Sequence, residues 1–179
     1  MLVLNPTKKQ PLFIVTGASG VGKSTVCEIL FRNETKYIVM DSDLLWNDVY
    51  NTPDDDYHNW RKLWLNVCAS ISQIGMPVVL CGCTTPEQNE LLEERKLFTK
   101  IHYIAITCDD NELEKRMRNG RGINDENYIK SSCDFTHWLI ENEDNSDYPI
   151  KNIDTTLLSP EQAAEAVDKW ICECIVLVR

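Results

Sequence analysis

Five short runs of apolar, largely β-branched or aromatic residues recur along the chain: Leu12 to Thr16, Tyr37 to Met40, Val78 to Cys83, Ile101 to Thr107 and, more weakly, Ile150 to Ile153. Their apolar character is continuous rather than alternating, which suits strands covered on both faces, as in a parallel sheet. The stretches between them have helical spacing and good start signals. Thr85-Pro86-Glu87-Gln88 and Ser159-Pro160-Glu161-Gln162 each offer an N-cap hydroxyl, proline at the first helical position and glutamine at the third. Asp109 before Glu112 is a weaker version of the same signal. Strands alternating with helices predict a three-layer α/β sandwich. With no internal repeat, low-complexity tract or evident linker, residues 1–179 read as one domain.

Composition narrows what such a domain does. Hydrophobic residues make up 43% and charged residues 26% of the chain, an ordinary globular balance. Lys plus Arg total 18 against 28 Asp plus Glu, a formal charge of −10. An acidic surface repels phosphate polymers and anionic lipid, which argues against a nucleic-acid or membrane partner. Any affinity for phosphate must then come from a local site. The only close pairs among the eight cysteines, Cys81/Cys83 and Cys172/Cys174, have one intervening residue each, unlike the usual zinc spacing. They read as reduced, buried thiols in apolar runs, Cys81 and Cys83 within one buried strand, in a cytoplasmic protein. The first residues lack the order of a signal peptide, and the apolar run from Trp170 to Val178 is too short to span a bilayer.

Gly17-Ala18-Ser19-Gly20-Val21-Gly22-Lys23-Ser24-Thr25 follows the first apolar run directly and fits G-x-x-x-x-G-K-[ST], in the strand-to-helix context that this motif requires. Three glycines within six residues let the backbone fold around a polyphosphate with its N–H groups inward, while the next helix presents its positive end. Lys23 is then placed to reach the β- and γ-phosphates, and the Ser24 hydroxyl to ligate Mg²⁺.

Other landmarks narrow the kind of P-loop protein. No Asn-Lys-x-Asp follows a strand, Lys151-Asn152-Ile153-Asp154 having the wrong order, and no LSGGQ-like signature exists. The third run ends without a carboxylate, whereas the second leads into Asp41-Ser42-Asp43. Carboxylates at i and i+2 leaving a strand point to the same side, toward the ligand crevice at the carboxyl edge of the sheet. One of them is placed to orient Mg²⁺ and the other to accept the proton of an acceptor hydroxyl. Lys115, Arg116, Arg118 and Arg121, four cations in seven residues, run into a loop with Gly120 and Gly122. They predict a lid over about 115–130 that closes on ATP and neutralises the migrating phosphoryl group.

On these residues the chain resembles the P-loop small-molecule and nucleotide kinases, a group including shikimate kinase, gluconate kinase and nucleoside monophosphate kinases. The resemblance implies a five-stranded parallel sheet of order 2-3-1-4-5. It assigns Mg²⁺ to Asp41 with Ser24, and the acceptor hydroxyl to Asp43. It sets the lid arginines Arg116, Arg118 and Arg121 against adenine or the phosphates, and borders the adenine with the loop at Asp154 and Thr155. Where shikimate kinases carry a Gly-Gly-Gly run, this chain has Cys81-Gly82-Cys83.

Acceptor specificity is expected between Asp41 and about residue 95, chiefly in a helical region over about 44–75. Trp46, Tyr50, Tyr57, Trp60 and Trp64 fall within 19 residues there. Trp60 and Trp64 are one helical turn apart, the spacing of core residues, while the alternative reading has some of these rings stacking on a planar acceptor, a nucleobase or other aromatic. Trp46 stands beside Asp43, and Arg61 is placed to hold an anionic group. His58, His102 and His137 sit in no constellation. The expected protein is an ATP- and Mg²⁺-dependent kinase with a small-molecule acceptor, monomeric or homodimeric. A phosphate acceptor stays open, with Arg61, Lys62, Arg95, Lys96 and Lys100 as candidate cations, and so does a nucleotide-dependent switch without phosphotransfer.

Overall fold

The computed structural model describes residues 8–33, 36–45, 53–145 and 147–177. Its strands are β1 (Leu12–Thr16), β2 (Ile38–Asp41), β3 (Val78–Cys81), β4 (Ile101–Thr107) and β5 (Ile150–Asp154). They pair in parallel throughout, in the order β2-β3-β1-β4-β5 that the resemblance implies. Parallel neighbours need long crossovers, and these carry α1 (Lys23–Asn33), α2 (His58–Ser72), α3 (Pro86–Glu90), α4 (Asp110–Lys115) and α5 (Glu126–Glu141), while α6 (Pro160–Leu177) follows the last strand. No helix among the described residues is long and apolar enough to cross a membrane.

Central β1 explains the continuous apolar pattern. Phe13 and Val15 enter one core with Leu30, Val167 and Ile171, while Leu12 and Ile14 enter the other with Trp64, Leu65 and Leu139. The two-residue period of a strand thus feeds two separate cores from Leu12 to Val15, and the one polar residue of β1 is Thr16 at its end. The start signals act as read. Gln162 N–H donates to Ser159 Oγ (3.3 Å) while Ser159 N–H donates to Gln162 Oε1 (2.8 Å), a reciprocal capping box. Thr85 N–H donates to Gln88 Oε1 (3.0 Å), and Asp109 accepts from Glu112 N–H (2.7 Å).

The third strand is shorter than predicted. Beyond Cys81 the Thr16 hydroxyl takes over from the ladder, donating to Thr84 O (2.6 Å) and accepting from Thr84 N–H (3.1 Å). Cys83 therefore leaves the sheet and is exposed, against the expectation of a buried strand thiol. All eight cysteines are free, and Cys27, Cys68, Cys81 and Cys108 are buried.

His102 on β4 stacks on Phe13 (4.9 Å between ring centres) and meets Trp170 edge-on (6.0 Å). Burial, helped by the charge of Lys100, lowers its pKa from 6.5 to about 4. Between those values the unfolded chain binds a proton that the folded one does not, so stability is expected to fall as pH drops from 6.5 toward 4. Denaturation midpoints of the parent and His102→Phe across that range check this: the variant should lose part of the slope, and equal slopes would assign it to carboxylates alone.

Candidate active site

β1 ends at Thr16, and residues 17–22 turn the chain into α1, whose first residue is Lys23. Gly20 has φ +83°, and a Cβ there would lie 2.5 Å from Met117 Cγ. Only glycine allows both the backbone and the contact. Met117, fully buried, sits on a π-turn (Arg116–Gly120) that continues α4, so the base of the expected lid is packed directly beneath the P-loop. Lys23 Nζ donates to Ala18 O (2.8 Å). Loss of hydration lowers its pKa, the neighbouring Cys83 and Asp43 offset part of this, and Arg121 adds to it.

Two clefts flank this loop. One, of about 510 Å³, runs from Gly20 to Thr25 past Glu112 and Arg116 to Thr155, Ser159 and Ala163. The other, of about 840 Å³, lies between Ala18, Ser19, Asp41, Asp43, Arg61 and α5. Lys23, Ser24 and Arg121 line both.

Asp41 and Asp43 do share the second cleft, by a different route from the one predicted. β2 stops at Asp41, and Ser42–Leu45 winds into a 3-10 turn in which Asp41 Oδ1 accepts the N–H of Asp43 (3.0 Å). The turn is held on two sides. Trp64 Nε1–H donates to Ser42 O (2.9 Å) from inside the core, and Ser42 Oγ packs against the position that a Cβ on residue 82 would take, room that Gly82 leaves open. Trp64 is thus core, as its spacing predicted, and also a brace for the carboxylates. Trp64→Phe keeps an aromatic ring in the core and removes the donor together with the smaller ring of the indole. A kcat about 10-fold lower with unchanged ATP affinity is the expected result, since small misplacements of reacting groups cost this much or more; unchanged kcat would mean that the bond serves stability alone.

The lid cations separate in space. Arg121 Nη1 donates to Ser19 Oγ (2.8 Å) across the P-loop. Arg116 engages four of its five N–H donors: Nε on Glu112 (2.9 Å), Nη1 on Val21 O (2.9 Å) and Thr155 Oγ1 (3.1 Å), Nη2 on Thr155 O (2.9 Å). It ties α4 to the P-loop and to the loop after β5, at the wall of the first cleft. Arg118 corrects the expectation, because its side chain pairs with Glu114 (2.7 Å) and Glu126 (2.7 Å) and lines neither cleft. Asp154 also lines neither: its carboxylate accepts from Thr156 N–H (2.9 Å) and Oγ1–H (2.6 Å) and shapes the turn, leaving Thr155 in the first cleft. The sequence shows that Arg116 and Arg118 each have a glutamate four residues before them, Glu112 and Glu114, but not that Glu126 closes on Arg118 while Val21 and Thr155 hold Arg116 at the cleft.

Arg61, 8% exposed, lines the second cleft, with Nη2 on the Asp56 carboxylate (3.0 Å) and on Asp56 O. Trp60 lines the same cleft. Trp46 and Tyr50 lie outside the described residues. Sequence reasoning missed the far wall, where Tyr128, Ser131, Ser132 and Phe135 of α5 face the cleft. Their i, i+3, i+4, i+7 spacing is the signal, hidden because it mixes rings with hydroxyls.

Ser24 and Asp41 bring a hydroxyl and a carboxylate into one cleft, and no cluster of three or more His, Cys, Asp or Glu among the described residues would hold an ion unaided. That sparse oxygen donor set fits Mg²⁺, which keeps waters and relies on substrate phosphates for much of its coordination.

A glycine-rich loop of the P-loop pattern at the centre of a 2-3-1-4-5 parallel sheet, set between two clefts, defines a P-loop fold of the small-molecule kinase type. The family described as an AAA domain matches residues 14–137, more than half of the chain, and the chain belongs to it. Among solved structures it is similar to a sugar kinase from Janibacter sp. HTCC2649 (14% identity, 92% of this chain and 95% of that chain covered, TM-score 0.65). It is similar also to a gluconokinase from Sinorhizobium meliloti 1021 (15%, 97% and 98%, 0.65) and to a shikimate kinase from Aquifex aeolicus vf5 (16%, 92% and 98%, 0.54). No curated protein matches by sequence.

Proposed function

We propose that the protein is an ATP- and Mg²⁺-dependent phosphotransferase that moves the γ-phosphoryl group to a hydroxyl of a small molecule. The observation that carries this reading is the joining of the two clefts at Lys23, Ser24 and Arg121, with Asp41 and Asp43 on one side only. The nucleotide occupies the first cleft, its base toward Arg116 and Thr155 and its phosphates on the backbone N–H groups of residues 17–25. Asp43 accepts the proton of the acceptor hydroxyl as its oxygen bonds to the γ-phosphorus and the bond to the β-phosphate oxygen breaks. Lys23 and Arg121 hold the charge that develops on the transferring oxygens. Mg²⁺, held through Ser24 and Asp41, supplies further neutralisation of the phosphates.

Charge balance favours a hydroxyl acceptor over a phosphate one. Arg95 pairs with Glu90, Lys62 with Glu94 and Lys96 with Glu93, and neither these three nor Lys100 lines the acceptor cleft. Among the described residues Arg61 alone remains beyond the reaction end, and it is already paired with Asp56. Acceptor-dependent ADP release, measured over a panel of hydroxylated metabolites, nucleosides and nucleotides, tests the reading. Acceleration by a hydroxyl compound supports it. Acceleration only by nucleoside monophosphates selects the phosphate acceptor, and tight ATP binding with no active acceptor selects a switch.

A further inference from the structure

The second cleft is built for more than an alcohol. α2 packs against β3 and α5 against β4 and β5, so the two helices stand on either side of central β1 and the cleft opens between them. Toward it one side presents Tyr57 and Trp60, the other Tyr128 and Phe135. Aromatic side chains lining the cleft from both flanking elements suit a ligand with a flat π-system, which stacks on them; a sugar that lays its C–H face on the same rings is the rival that the experiment below separates.

The polar groups between the rings narrow the ligand further. Ser131 and Ser132 both donate their hydroxyl hydrogens to Tyr128 O (3.0 Å each), so only oxygen lone pairs are left to meet a ligand, and they call for donors on its rim. Opposite in character, Arg61 lines the cleft as a guanidinium whose Nη2 is spent on Asp56. A guanidinium at a cleft wall suits one carbonyl or carboxylate oxygen of whatever binds there. With Asp56 already on the same guanidinium, the pair offers no charge for a dianion.

We infer that the acceptor is a flat-ringed alcohol, aryl or heteroaryl, with N–H or O–H donors on its rim, one oxygen for Arg61, and at most one negative charge. This rests on the phosphotransferase reading above. Nucleosides and aromatic hydroxy acids share this chemistry, and the test separates them.

The full-length protein with ATP and Mg²⁺ is given, at equal concentration, nucleosides, aromatic hydroxy-carboxylic acids, open-chain and ring sugars, sugar acids, and nucleoside monophosphates. ADP release and, without ATP, saturation-transfer NMR of acceptor binding are both read. Ring alcohols of the neutral or singly charged arms should accelerate ADP release at least about 10-fold more than sugars or monophosphates. Tyr128, 45% exposed, can be changed without opening the core. Tyr128→Ala should raise the acceptor KM about 10-fold with the KM for ATP unmoved, and Tyr128→Phe should restore it, as loss of one stacking wall requires. A sugar or sugar acid as best acceptor, or Tyr128→Ala without effect on acceptor KM, overturns the inference and leaves the phosphotransferase reading standing. No acceleration by any class, with ATP bound, overturns both.

Discussion

Lys23→Ala is expected to remove phosphoryl transfer, with kcat down by about 10²–10³-fold or more, the cost of deleting one preorganised charge at the transferring group. Lys23 belongs to both clefts, so the loss falls on the shared reaction end and not on acceptor recognition. Folding should survive. The side chain donates one hydrogen bond, to Ala18 O, and its removal costs about 0.5–1.5 kcal/mol before counting the relief of a cation that burial disfavours. Single-turnover transfer and a thermal melt together check this. A melt lowered far beyond that cost would recast Lys23 as a structural brace, and retained turnover would remove it from catalysis. Its lowered pKa adds a sign: as pH rises, the ammonium is lost earlier than from an ordinary lysine, so affinity for ATP should decline on the alkaline side before pH reaches 10.5.

Asp43→Asn is the second large effect. The amide keeps the shape but takes up no proton, and loss of a positioned general base costs about 10²–10⁴-fold in kcat. The bond that organises the turn comes from the backbone N–H of Asp43 to Asp41 Oδ1, so substituting the side chain leaves it in place. ATP affinity should therefore change little, and equilibrium binding of a fluorescent ATP analogue against kcat separates the two. An unaffected kcat for a hydroxyl acceptor would refute the role assigned to Asp43.

Much of the fold was legible because its signals are local. β1 and β4 have the predicted ends, and the Ser159 capping box forms as written, each set by neighbours within a few residues. The site was legible in part. The glycine-rich loop carries its own geometry, whereas Arg116, Arg118 and Arg121 look alike in sequence and are told apart only by what surrounds them. Glu126, eight residues along the chain, captures Arg118; Thr155 and Val21, far off in sequence, capture Arg116; Ser19 meets Arg121. The shared cleft of Asp41 and Asp43 was foreseen, but from strand alternation, while a 3-10 turn braced by Trp64 and Gly82 produces it.

By itself, then, the sequence determined the strands, their helix starts and the phosphate loop, because apolar period, capping chemistry and glycine freedom act over a few residues. The order of the sheet came from resemblance. The tertiary structure alone decided which charges remain for a ligand and what the acceptor cleft is made of. Those depend on partners far apart in the chain, Asp56 on Arg61 and the α5 stripe facing α2, which no local pattern encodes.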